Sequence, residues 1–370
     1  MPERIGLAVI GCGTIGRIRA QLAREFPAVD WLGLCDVDLD TAKSLGEDTK
    51  AEFVTDDLDR LLSRPEVNAV IVATAENEHV EPILAAADLG VPMMIEKPLA
   101  TDPVESKRVL DRLDEKGIDA VIGYTQRFRR RFLTAKQKIV DGVIGEVTTV
   151  VTRAFMNRMV PIATLRKTDQ RSNLTPMVVS GTHSLDLCMW LMEGKNPAEV
   201  YARSVDVALG ELGTKDATLG LFTMDDGTLW SMNISWALPT VWPGSVYGLE
   251  VGIVGTKGVI DIEDTHRDTI VASELPQGAG YTSKGYAPAE ARHVDFIGSY
   301  PPGDVAGGLL WGPMRTETIS WFSRISTGIP TPHATAHDGH RNLLLTMAMD
   351  LSARRGRPVE LPIEPEELVE

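Results

Sequence analysis

Three glycines near the start of the chain have the spacing of a dinucleotide-binding turn. The segment GCGTIG at 11–16 follows the apolar strand-like run Ile5–Ile10 and precedes a helix-like run. Glycines at its first, third and sixth positions permit a tight turn, close approach of the backbone to a pyrophosphate, and close packing of helix on strand. Free N–H groups at the start of the helix favour phosphate oxygens. The residues predicted to hold the pyrophosphate are Gly11, Gly13, Thr14, Ile15 and Gly16.

Asp36 adds a second element to this pattern, because it follows the next strand-like run, Trp31–Cys35, and lies 20 residues after Gly16. A carboxylate at this place can accept a hydrogen bond from the 2′-hydroxyl of an adenosine ribose, and it repels a 2′-phosphate. The sequence therefore predicts NAD as the cofactor and disfavours NADP. The alternative is a glycine turn without a ligand beside a surface aspartate, and the strand–turn–helix context argues against it.

Lys97 is a candidate for the reacting centre because it comes shortly after the strand-like run Pro92–Ile95. Side chains at the carboxyl ends of parallel strands lie where doubly wound sheets bind their ligands. An ammonium group there can donate to a substrate oxygen and stabilise charge that develops during hydride transfer. The alternative is an ordinary solvent-exposed lysine.

His183 is the second candidate, and it lies in the helix-like run Met177–Met192. An unperturbed histidine has a pKa of about 6.5, which suits a group that removes a hydroxyl proton. Asp186 follows at i+3 on the same helix face, where it could orient the imidazole or could face away. The alternative is a buried histidine that is hydrogen-bonded within the helix packing.

Further polar and aromatic residues could contact a substrate. Tyr124, Gln126 and Arg127 follow the last strand-like run of the first part of the chain. Arg127 and Arg166 belong to basic runs that could hold a carboxylate or phosphate, although a solvated basic face is the simpler interpretation. Trp236 could stack on a sugar ring, although tryptophans more often fill cores.

Three histidines near the C-terminus have a spacing that could suggest metal ligation. They are His333, His337 and His340. His333 follows a proline and Gly339 interrupts the segment, so a solvated entry to the last helix is favoured and no metal is predicted.

The elements that must position these candidates change in character along the chain. Up to Ile122, short apolar runs alternate with amphipathic helix-like segments, which is typical of βαβ units and a parallel sheet. After Gly145, strand-like runs predominate and are separated by turn signals at 224–228 and 255–258. Such runs favour a mostly antiparallel sheet with one face packed on helices.

These patterns predict an α/β protein of two domains. The first, residues 1–123, is expected to be an N-terminal Rossmann domain with a doubly wound parallel sheet. The second, residues 124–370, is expected to be an α+β domain with a large, mostly antiparallel open sheet that binds substrate and forms oligomers. A last helix at about 340–353 is expected to pack near the first domain.

The composition disfavours several classes of partner. The formal net charge of −15 disfavours nucleic acid and anionic membrane surfaces, because like charges repel. Cys12, Cys35 and Cys188 are odd in number and far apart, which argues against a disulfide framework and fits a reducing compartment. The first apolar run enters the glycine turn directly, so we interpret it as a strand and expect a cytoplasmic protein without a membrane span.

Several motifs, taken in order along the chain, resemble those of the Gfo/Idh/MocA oxidoreductase family. Their ordered set is more specific than any single motif, and it covers essentially the whole chain. The similar segments are GCGTIG at 11–16, VIVATAENEH at 70–79, MMIEKPLA at 93–100, GYTQRF at 123–128, GTHSLDLCMWL at 181–191 and VGIVGTKGVIDI at 251–262.

The resemblance implies a Rossmann domain followed by an α/β domain with a large open sheet. It implies oxidation of sugars, inositols or related hydroxy compounds by NAD or NADP without a metal, and assembly as a homodimer or homotetramer. It also implies that Lys97 of the Glu-Lys-Pro motif and His183 are catalytic. The further residues that these motifs assign to the cofactor and substrate sites are Thr74, His79, Glu96 and Thr182.

The chain departs from the family pattern at one important position. Many dehydrogenases of the family carry an aspartate four residues before the histidine, and Val179 stands there in this chain. An apolar side chain cannot bind a substrate hydroxyl or support an imidazolium, so another group such as Asp169 compensates or the mechanism differs. A milder departure is Ala75-Glu76, where the family often has Pro-Asn.

Three functions follow from these observations. The leading hypothesis is an NAD-dependent dehydrogenase that oxidises a hydroxyl of a sugar, inositol or related polyol. The second is an enzyme that keeps NAD bound and recycles it during epimerisation, elimination or glycoside cleavage, which Val179 makes more credible. The third is a non-catalytic regulator that senses the cofactor, against which the retained Lys97 and His183 argue.

Overall fold

The described part of the chain falls into two compact units. The computed structural model describes residues 4–165, 173–242, 246–264, 269–277, 292–297 and 303–369 of the 370. The first unit comprises Met1–Tyr124 and Met314–Leu343, and the second comprises Thr125–Pro313 and Leu344–Glu370. The first division of the chain lies beside the predicted boundary at 123/124, and the first unit also takes in a later segment. The functional division into 1–123 and 124–370 stays a prediction.

The described residues form 18 strands, and most of those before residue 265 begin and end close to apolar runs that the sequence shows, whereas the later ones were not predicted. In chain order they are β1 Ile5–Ile10, β2 Val29–Cys35, β3 Phe53–Thr55, β4 Ala69–Val72, β5 Met93–Ile95, β6 Ala120–Ile122, β7 Val147–Asn157, β8 Pro197–Val205, β9 Ala217–Met224, β10 Leu229–Leu238, β11 Val246–Gly255, β12 Gly258–Asp264, β13 Thr269–Gln277, β14 Arg292–Ile297, β15 Asp304–Ala306, β16 Leu309–Trp311, β17 Ala334–Thr335 and β18 Val359–Glu360.

Several helices of the first unit begin after an aspartate whose carboxylate accepts from their first N–H groups. Asp102, for example, accepts from the N–H groups of Val104 and Glu105, and Pro103 follows it at the first helical position. The α-helices are α1 Thr14–Arg24, α2 Leu39–Thr49, α3 Leu58–Leu62, α4 Val80–Ala87, α5 Pro103–Lys116, α6 Arg130–Val140, α7 Met159–Leu165, α8 Thr182–Leu191, α9 Pro313–Thr327 and α10 Ala336–Arg355.

The first unit is built on a seven-stranded sheet with the order β17-β6-β5-β4-β1-β2-β3. All neighbouring pairs are parallel except β17 with β6. Alternate residues of β1 enter two different apolar clusters, with Ala8 and Ile10 in one and Leu7 and Val9 in the other. Both faces of the sheet are therefore covered, as in a doubly wound fold. This confirms the predicted parallel Rossmann sheet.

The second unit is built on another seven-stranded sheet, with the order β12-β11-β7-β10-β9-β8-β18. Its neighbouring strands are antiparallel except for the pair β7 and β10. One face is buried, with Val150, Trp230 and Phe222 in register across three strands. The prediction of a large, mostly antiparallel open sheet is thereby confirmed.

The segment 177–192, which the sequence predicts to be one α-helix, contains two kinds of helix in the structure. A π-helical segment, Pro176–Gly181, precedes α8 and joins it directly. Thr175 caps this segment, since its hydroxyl accepts from the N–H of Val178. π-Helical turns within helices are frequent at functional sites because they change the angular position of the side chains that follow.

Among the helices of the described residues, none combines the length and the apolar character needed to cross a bilayer.

Candidate functional site

The glycine turn of the first unit has the shape that a pyrophosphate requires. Gly11 has a φ of +91°, and a Cβ there would lie 2.5 Å from the carbonyl oxygen of Ala73. A Cβ on Gly16 would lie 1.8 Å from the carbonyl oxygen of Gly11, whereas one on Gly13 would meet nothing within 4 Å. The turn is thus tightly packed at its first and last glycines and open at its middle glycine.

The start of α1 faces this open position. Gly13 is the residue that precedes the helix, no side chain of the described residues caps it, and Thr14 beside it is exposed. The first N–H groups of a helix have no partner within the helix, and the positive end of the helix dipole lies there. The residues Gly13, Thr14 and Ile15 therefore fit the pyrophosphate of a dinucleotide.

Asp36 lies at the carboxyl end of β2 and is tied to the same turn. Its Oδ2 accepts from the N–H of Cys12 at 2.7 Å, and its Oδ1 accepts from the N–H of Asp38 at 2.9 Å. Each carboxylate oxygen can accept a second hydrogen bond. The side chain is half-buried, so its orientation is set by the backbone while part of it stays accessible to a ligand.

His79 is buried beneath the loop that follows β4. Its Nδ1 lies 2.7 Å from the carbonyl oxygen of Pro98, and its Nε2 lies 3.3 Å from that of Thr74. Burial lowers the pKa of His79, although these two carbonyls act in the opposite direction. The neutral ring has one N–H, and the shorter distance assigns it to Nδ1. His79 thus joins two loops, and we assign it to positioning rather than to direct contact with the predicted cofactor.

Thr74, from the same group of predicted cofactor residues, is half-buried, and its hydroxyl donates to the carbonyl of Glu78 at 3.1 Å. This bond closes the loop between β4 and α4. The backbone of Thr74 also lies against Gly11, since a Cβ on that glycine would be 2.7 Å from the Thr74 nitrogen. Thr74 therefore lies beside the glycine turn, and its contact with a cofactor stays a prediction.

The Glu-Lys-Pro segment follows β5 at the carboxyl end of the same sheet. The N–H of Glu96 donates to the carbonyl of Val72 at 2.9 Å, and the peptide bond between Lys97 and Pro98 is cis. Lys97 is half-buried, whereas Glu96 and Pro98 on either side of it are buried. The segment therefore holds its backbone in the core and brings Lys97 towards the surface at the end of the sheet where doubly wound folds bind ligands.

Glu96 is predicted to bind the cofactor, but in the structure its carboxylate binds a buried arginine. Its Oε1 accepts from Nε and Nη2 of Arg19 at 2.9 and 2.7 Å. Arg19 also donates from Nη2 to Oε2 of Glu317 at 2.6 Å. All three side chains are buried, so Glu96 belongs to an internal ion cluster. Sequence reasoning missed Arg19 and Glu317, and the separation of 298 residues between them left no local signal.

His183 lies on α8 of the second unit. Of the residues of this helix, only His183 and Trp190 are not buried. This argues against the interpretation of His183 as a histidine enclosed in the helix packing. Thr182 precedes it and is buried, so its predicted role as a direct substrate contact lacks an accessible surface.

Arg127 and Asp186 form a buried ion pair beside this helix. Nε and Nη2 of Arg127 donate to Oδ2 and Oδ1 of Asp186 at 2.7 and 2.6 Å. The guanidinium also lies 5.6 Å from the ring centroid of Trp190. Because this geometry is bidentate and desolvated, we assign Arg127 to holding α8 in place rather than to a substrate carboxylate or phosphate.

Tyr124 and Gln126 are both buried, which limits their predicted contact with a substrate. Tyr124 packs within an apolar cluster of the first unit. Gln126 lies near the start of the second unit, and its Oε1 has no hydrogen-bond partner among the described residues. A buried amide oxygen without a partner is unfavourable, which makes Gln126 the stronger of the two candidates for a ligand contact.

Val179 and Trp236 belong to one apolar cluster in the second unit, together with Leu165, Leu174 and Leu209. Trp236 has no exposed surface, and its Nε1 donates to Oγ of Ser180 at 2.8 Å. Trp236 therefore presents no accessible ring face on which a sugar could stack, which favours its alternative interpretation as a core residue. Val179 is 4% exposed, so its side chain packs inside this apolar cluster, at the position where many dehydrogenases of the resembling pattern have an aspartate.

The three histidines near the C-terminus each contact a different side chain. His333 lies 2.6 Å from the Thr331 hydroxyl, and His337 lies 3.1 Å from a carboxylate oxygen of Asp114. His340 lies 3.0 Å from the Ser106 hydroxyl. These contacts favour structural roles over metal ligation. Two predicted substrate residues, Arg166 and Asp169, lie outside the described residues.

Two family models match adjoining parts of the chain. A model described as "Oxidoreductase family, NAD-binding Rossmann fold" matches residues 5–124. A model described as "GFO/IDH/MocA C-terminal domain" matches residues 132–261. Together these matches include the glycine turn, the Glu-Lys-Pro segment and the helix that carries His183.

Relatives and solved structures agree with these matches. An inositol 2-dehydrogenase of Rubrobacter xylanophilus is 25% identical over 365 residues, which are 96% of this chain and 93% of that protein. A 2,7-anhydro-N-acetylneuraminate hydratase of Mediterraneibacter gnavus is 29% identical over 264 residues, which are 70% of this chain and 68% of that protein. A crystal structure of scyllo-inositol dehydrogenase from Lactobacillus casei with NAD(H) and scyllo-inositol has a TM-score of 0.73 and 18% identity, and the similarity covers 96% of this chain and 99% of that one.

Proposed function

Because the chain belongs to the Gfo/Idh/MocA family of NAD-binding oxidoreductases, we propose that it oxidises a hydroxyl group of a sugar, inositol or related polyol with NAD as the hydride acceptor. The names of its relatives support a substrate of this class, since one relative is an inositol 2-dehydrogenase. A structural neighbour was crystallised with NAD(H) and scyllo-inositol.

The observation that carries the proposal is the glycine turn with its open middle position. Gly13 and the first N–H groups of α1 would hold the pyrophosphate, and the packed positions of Gly11 and Gly16 keep the turn in that shape. When bound, NAD would supply the acceptor for the hydride, and the protein supplies orientation and electrostatics.

The choice of NAD over NADP rests on Asp36. Its carboxylate is held at the end of β2 by two backbone N–H groups and is still partly exposed. A ribose 2′-hydroxyl can donate to this carboxylate, whereas a 2′-phosphate would place a second negative charge beside it.

Lys97 and His183 are proposed to carry the chemistry. Lys97 would donate from its ammonium to the substrate oxygen, which orients that oxygen and stabilises the charge that develops on it. His183 would accept the hydroxyl proton while the C–H bond breaks. Both side chains are partly accessible on elements whose neighbouring side chains are buried.

Purified protein incubated with NAD and a panel of inositols, aldoses and linear polyols tests the proposal through the absorbance of reduced nicotinamide. Lys97→Ala is expected to lower kcat by about 10²–10⁴-fold while leaving the Kd of NAD nearly unchanged, because general acid–base and electrostatic contributions have this size. Lys107→Ala is the matched control, since Lys107 lies on the exposed side of α5 with Asp111. Full turnover by Lys97→Ala would refute the assignment.

A second candidate function keeps NAD bound and regenerates it within each cycle of an epimerase, lyase or glycosidase reaction. Two observations favour it. Val179 fills an apolar cluster where dehydrogenases of the family often have an aspartate, and one relative is named a hydratase. NAD that co-purifies with the protein, together with substrate conversion but no net change in nicotinamide absorbance, would support this function over the first.

We also propose that the partner of this chain is a second copy of itself, in a homodimer or homotetramer. In the second unit, Tyr201, Leu221 and Val151 are exposed and lie in one row across the open sheet. Leu219 and Val254 are also exposed. Exposed apolar side chains on several strands of one sheet face are typical of a protein–protein interface.

A further inference from the structure

Arg19 joins three elements of the first unit through one buried guanidinium. It lies on α1, the helix that begins at the glycine turn, and has no exposed surface. It donates to Glu96 at the end of β5 and to Glu317 on α9. It also donates from Nη1 to the hydroxyl of Thr318 on α9. Only the planar fork of an arginine can reach these acceptors simultaneously.

Burial of the three charged side chains in this Arg19–Glu96–Glu317 cluster costs desolvation free energy. Burial by itself would lower the pKa of Arg19, but the carboxylates of Glu96 and Glu317 outweigh it, so the pKa is raised and the guanidinium stays charged. Replacing buried ion pairs by apolar groups is often neutral or stabilising. A contribution to stability alone therefore does not explain the cluster. Its position does offer an explanation, because Glu96 directly precedes Lys97.

Gly123 shows how closely the cluster is enclosed. A Cβ on this residue would lie 2.9 Å from Oε2 of Glu96 and 3.2 Å from Nη2 of Arg19. The N–H of Gly123 donates to the carbonyl of Ile95 at 2.8 Å, which ties it to the last residue of β5. The carboxylate and the guanidinium thus have little room to take other positions.

Lys97 is held on both sides by these contacts. The side chain of Glu96, directly before it, is bound by Arg19, and the carbonyl of Pro98, directly after it, is bound by His79. The backbone of Lys97 therefore has little freedom, and its ammonium can sample only the positions that its own side-chain torsions allow. Displacement of a reacting group by about 1 Å can cost about 10²-fold in rate.

From this geometry we propose that Arg19 and Glu317 are positioning residues for Lys97, and that they couple the helix of the dinucleotide turn to the reacting lysine. The inference rests on the proposed function of Lys97. Loss of the guanidinium fork lets the Glu-Lys-Pro segment shift and misplaces the ammonium. It leaves the glycine turn and Asp36, which would bind the cofactor, in place.

The test compares Arg19→Lys and Glu317→Gln with the wild-type protein. Arg19→Lys keeps the charge but loses the fork, and Glu317→Gln keeps an acceptor opposite Arg19 and serves if the first variant does not fold. We expect kcat to fall about 10-fold or more while the Kd of NAD, measured by calorimetry, changes less than about threefold. Arg315→Met is the matched control, because Arg315 also joins α9 to the end of α1, through Glu25, but away from Glu96.

A second measurement does not depend on turnover. The rate at which a lysine-acylating reagent labels Lys97, followed by mass spectrometry, is expected to change at least about threefold in the Arg19 and Glu317 variants and to stay unchanged in Arg315→Met. Unchanged labelling and unchanged kcat in a folded Arg19→Lys or Glu317→Gln variant would overturn the positioning role. If the wild-type protein converts no substrate, the proposed function fails, and the labelling experiment still decides whether Arg19 and Glu317 position Lys97.

Discussion

Asp36 lies beside the glycine turn, and Asp186 lies on the same helix as His183. These two carboxylates have different roles in the folded protein. Asp36 is half-buried and accepts one backbone N–H on each oxygen, so it has both a set orientation and remaining capacity to accept. Asp186 is fully buried and both of its oxygens accept from Arg127. Burial and partners thus separate a carboxylate that can bind a ligand from one that holds a helix.

Asp36→Asn is expected to reduce the preference for NAD. The substitution removes the charge that favours a ribose hydroxyl and repels a 2′-phosphate, and hydrogen bonds to charged groups contribute about 1.5–3 kcal/mol. The ratio of the Kd of NADP to that of NAD should therefore fall by about 10-fold or more, measured by calorimetry with both cofactors.

The control for this experiment is Asp57→Asn, at the residue that caps α3 after the neighbouring strand β3. Asparagine caps helices about as well as aspartate does, so both Kd values should stay the same. A wild-type protein that binds NADP as tightly as NAD would contradict the role given to Asp36.

The π-helical segment Pro176–Gly181 depends on a carboxylate from a distant helix. The hydroxyl of Thr175, which caps the segment, donates to Oδ2 of Asp350 on α10 at 2.5 Å. Burial raises the pKa of Asp350 to about 6, and the Thr175 hydrogen bond with the charges of Arg354 and Lys215 only partly offsets this. The segment that precedes the His183 helix is therefore attached to a group that titrates in a mildly acidic range.

Asp350→Asn is expected to change the pH dependence of folding stability. The pKa of Asp350 is higher in the folded protein than the unfolded value of 3.8, so ionisation favours the unfolded state. The wild-type protein should lose up to about 3 kcal/mol relative to the variant as pH rises from about 3 to about 7, and most of this loss falls between the unfolded pKa of 3.8 and the folded pKa of about 6. Urea denaturation of both proteins at several pH values measures this difference.

Asparagine retains an acceptor for the Thr175 hydroxyl, so the comparison isolates the charge. Asp261→Asn removes an exposed carboxylate from β12 and should change stability by less than about 0.5 kcal/mol at every pH. A stability difference between wild type and Asp350→Asn that is the same at pH 4 and pH 7 would show that Asp350 does not titrate as described.

At the scale of the whole chain, the two units use their sheets in different ways. The sheet of the first unit is covered on both faces, and its strands are short and almost entirely buried. The sheet of the second unit is buried on one face, while the other exposes apolar side chains on several strands, with Leu221 and Leu219 on β9. Exposed apolar side chains on one face of an open sheet favour association with another protein surface.

Leu221→Glu is expected to weaken the proposed self-association. A charge in the middle of an apolar interface must be desolvated on assembly, which costs more than the exposed leucine did. The wild-type protein should run as a dimer or tetramer in size-exclusion chromatography with light scattering, and the variant should shift towards the monomer. Val140→Glu on α6, where valine is 66% exposed, should leave the assembly unchanged. A monomeric wild-type protein at micromolar concentration would contradict the proposal.

The sequence by itself determined the elements and the class of site. Strand β1, the glycine turn, α1 and Asp36 follow from local rules, because apolar periodicity, glycine conformation and helix starts are encoded within a few residues. For the same reason the parallel and antiparallel sheets could be predicted from their strand patterns. The short strands β17 and β18, with two residues each, were missed because they have too few residues to show a period.

Only the tertiary structure decided which predicted site residues have accessible side chains and which are enclosed. Trp236 is enclosed by leucines and by Val179, and Arg127 is held by Asp186. Glu96 is held by Arg19, which Glu317 also contacts. The partners of a buried charge or ring come from residues far away in sequence, and whether a side chain is desolvated depends on all of them together. No local pattern contains that information.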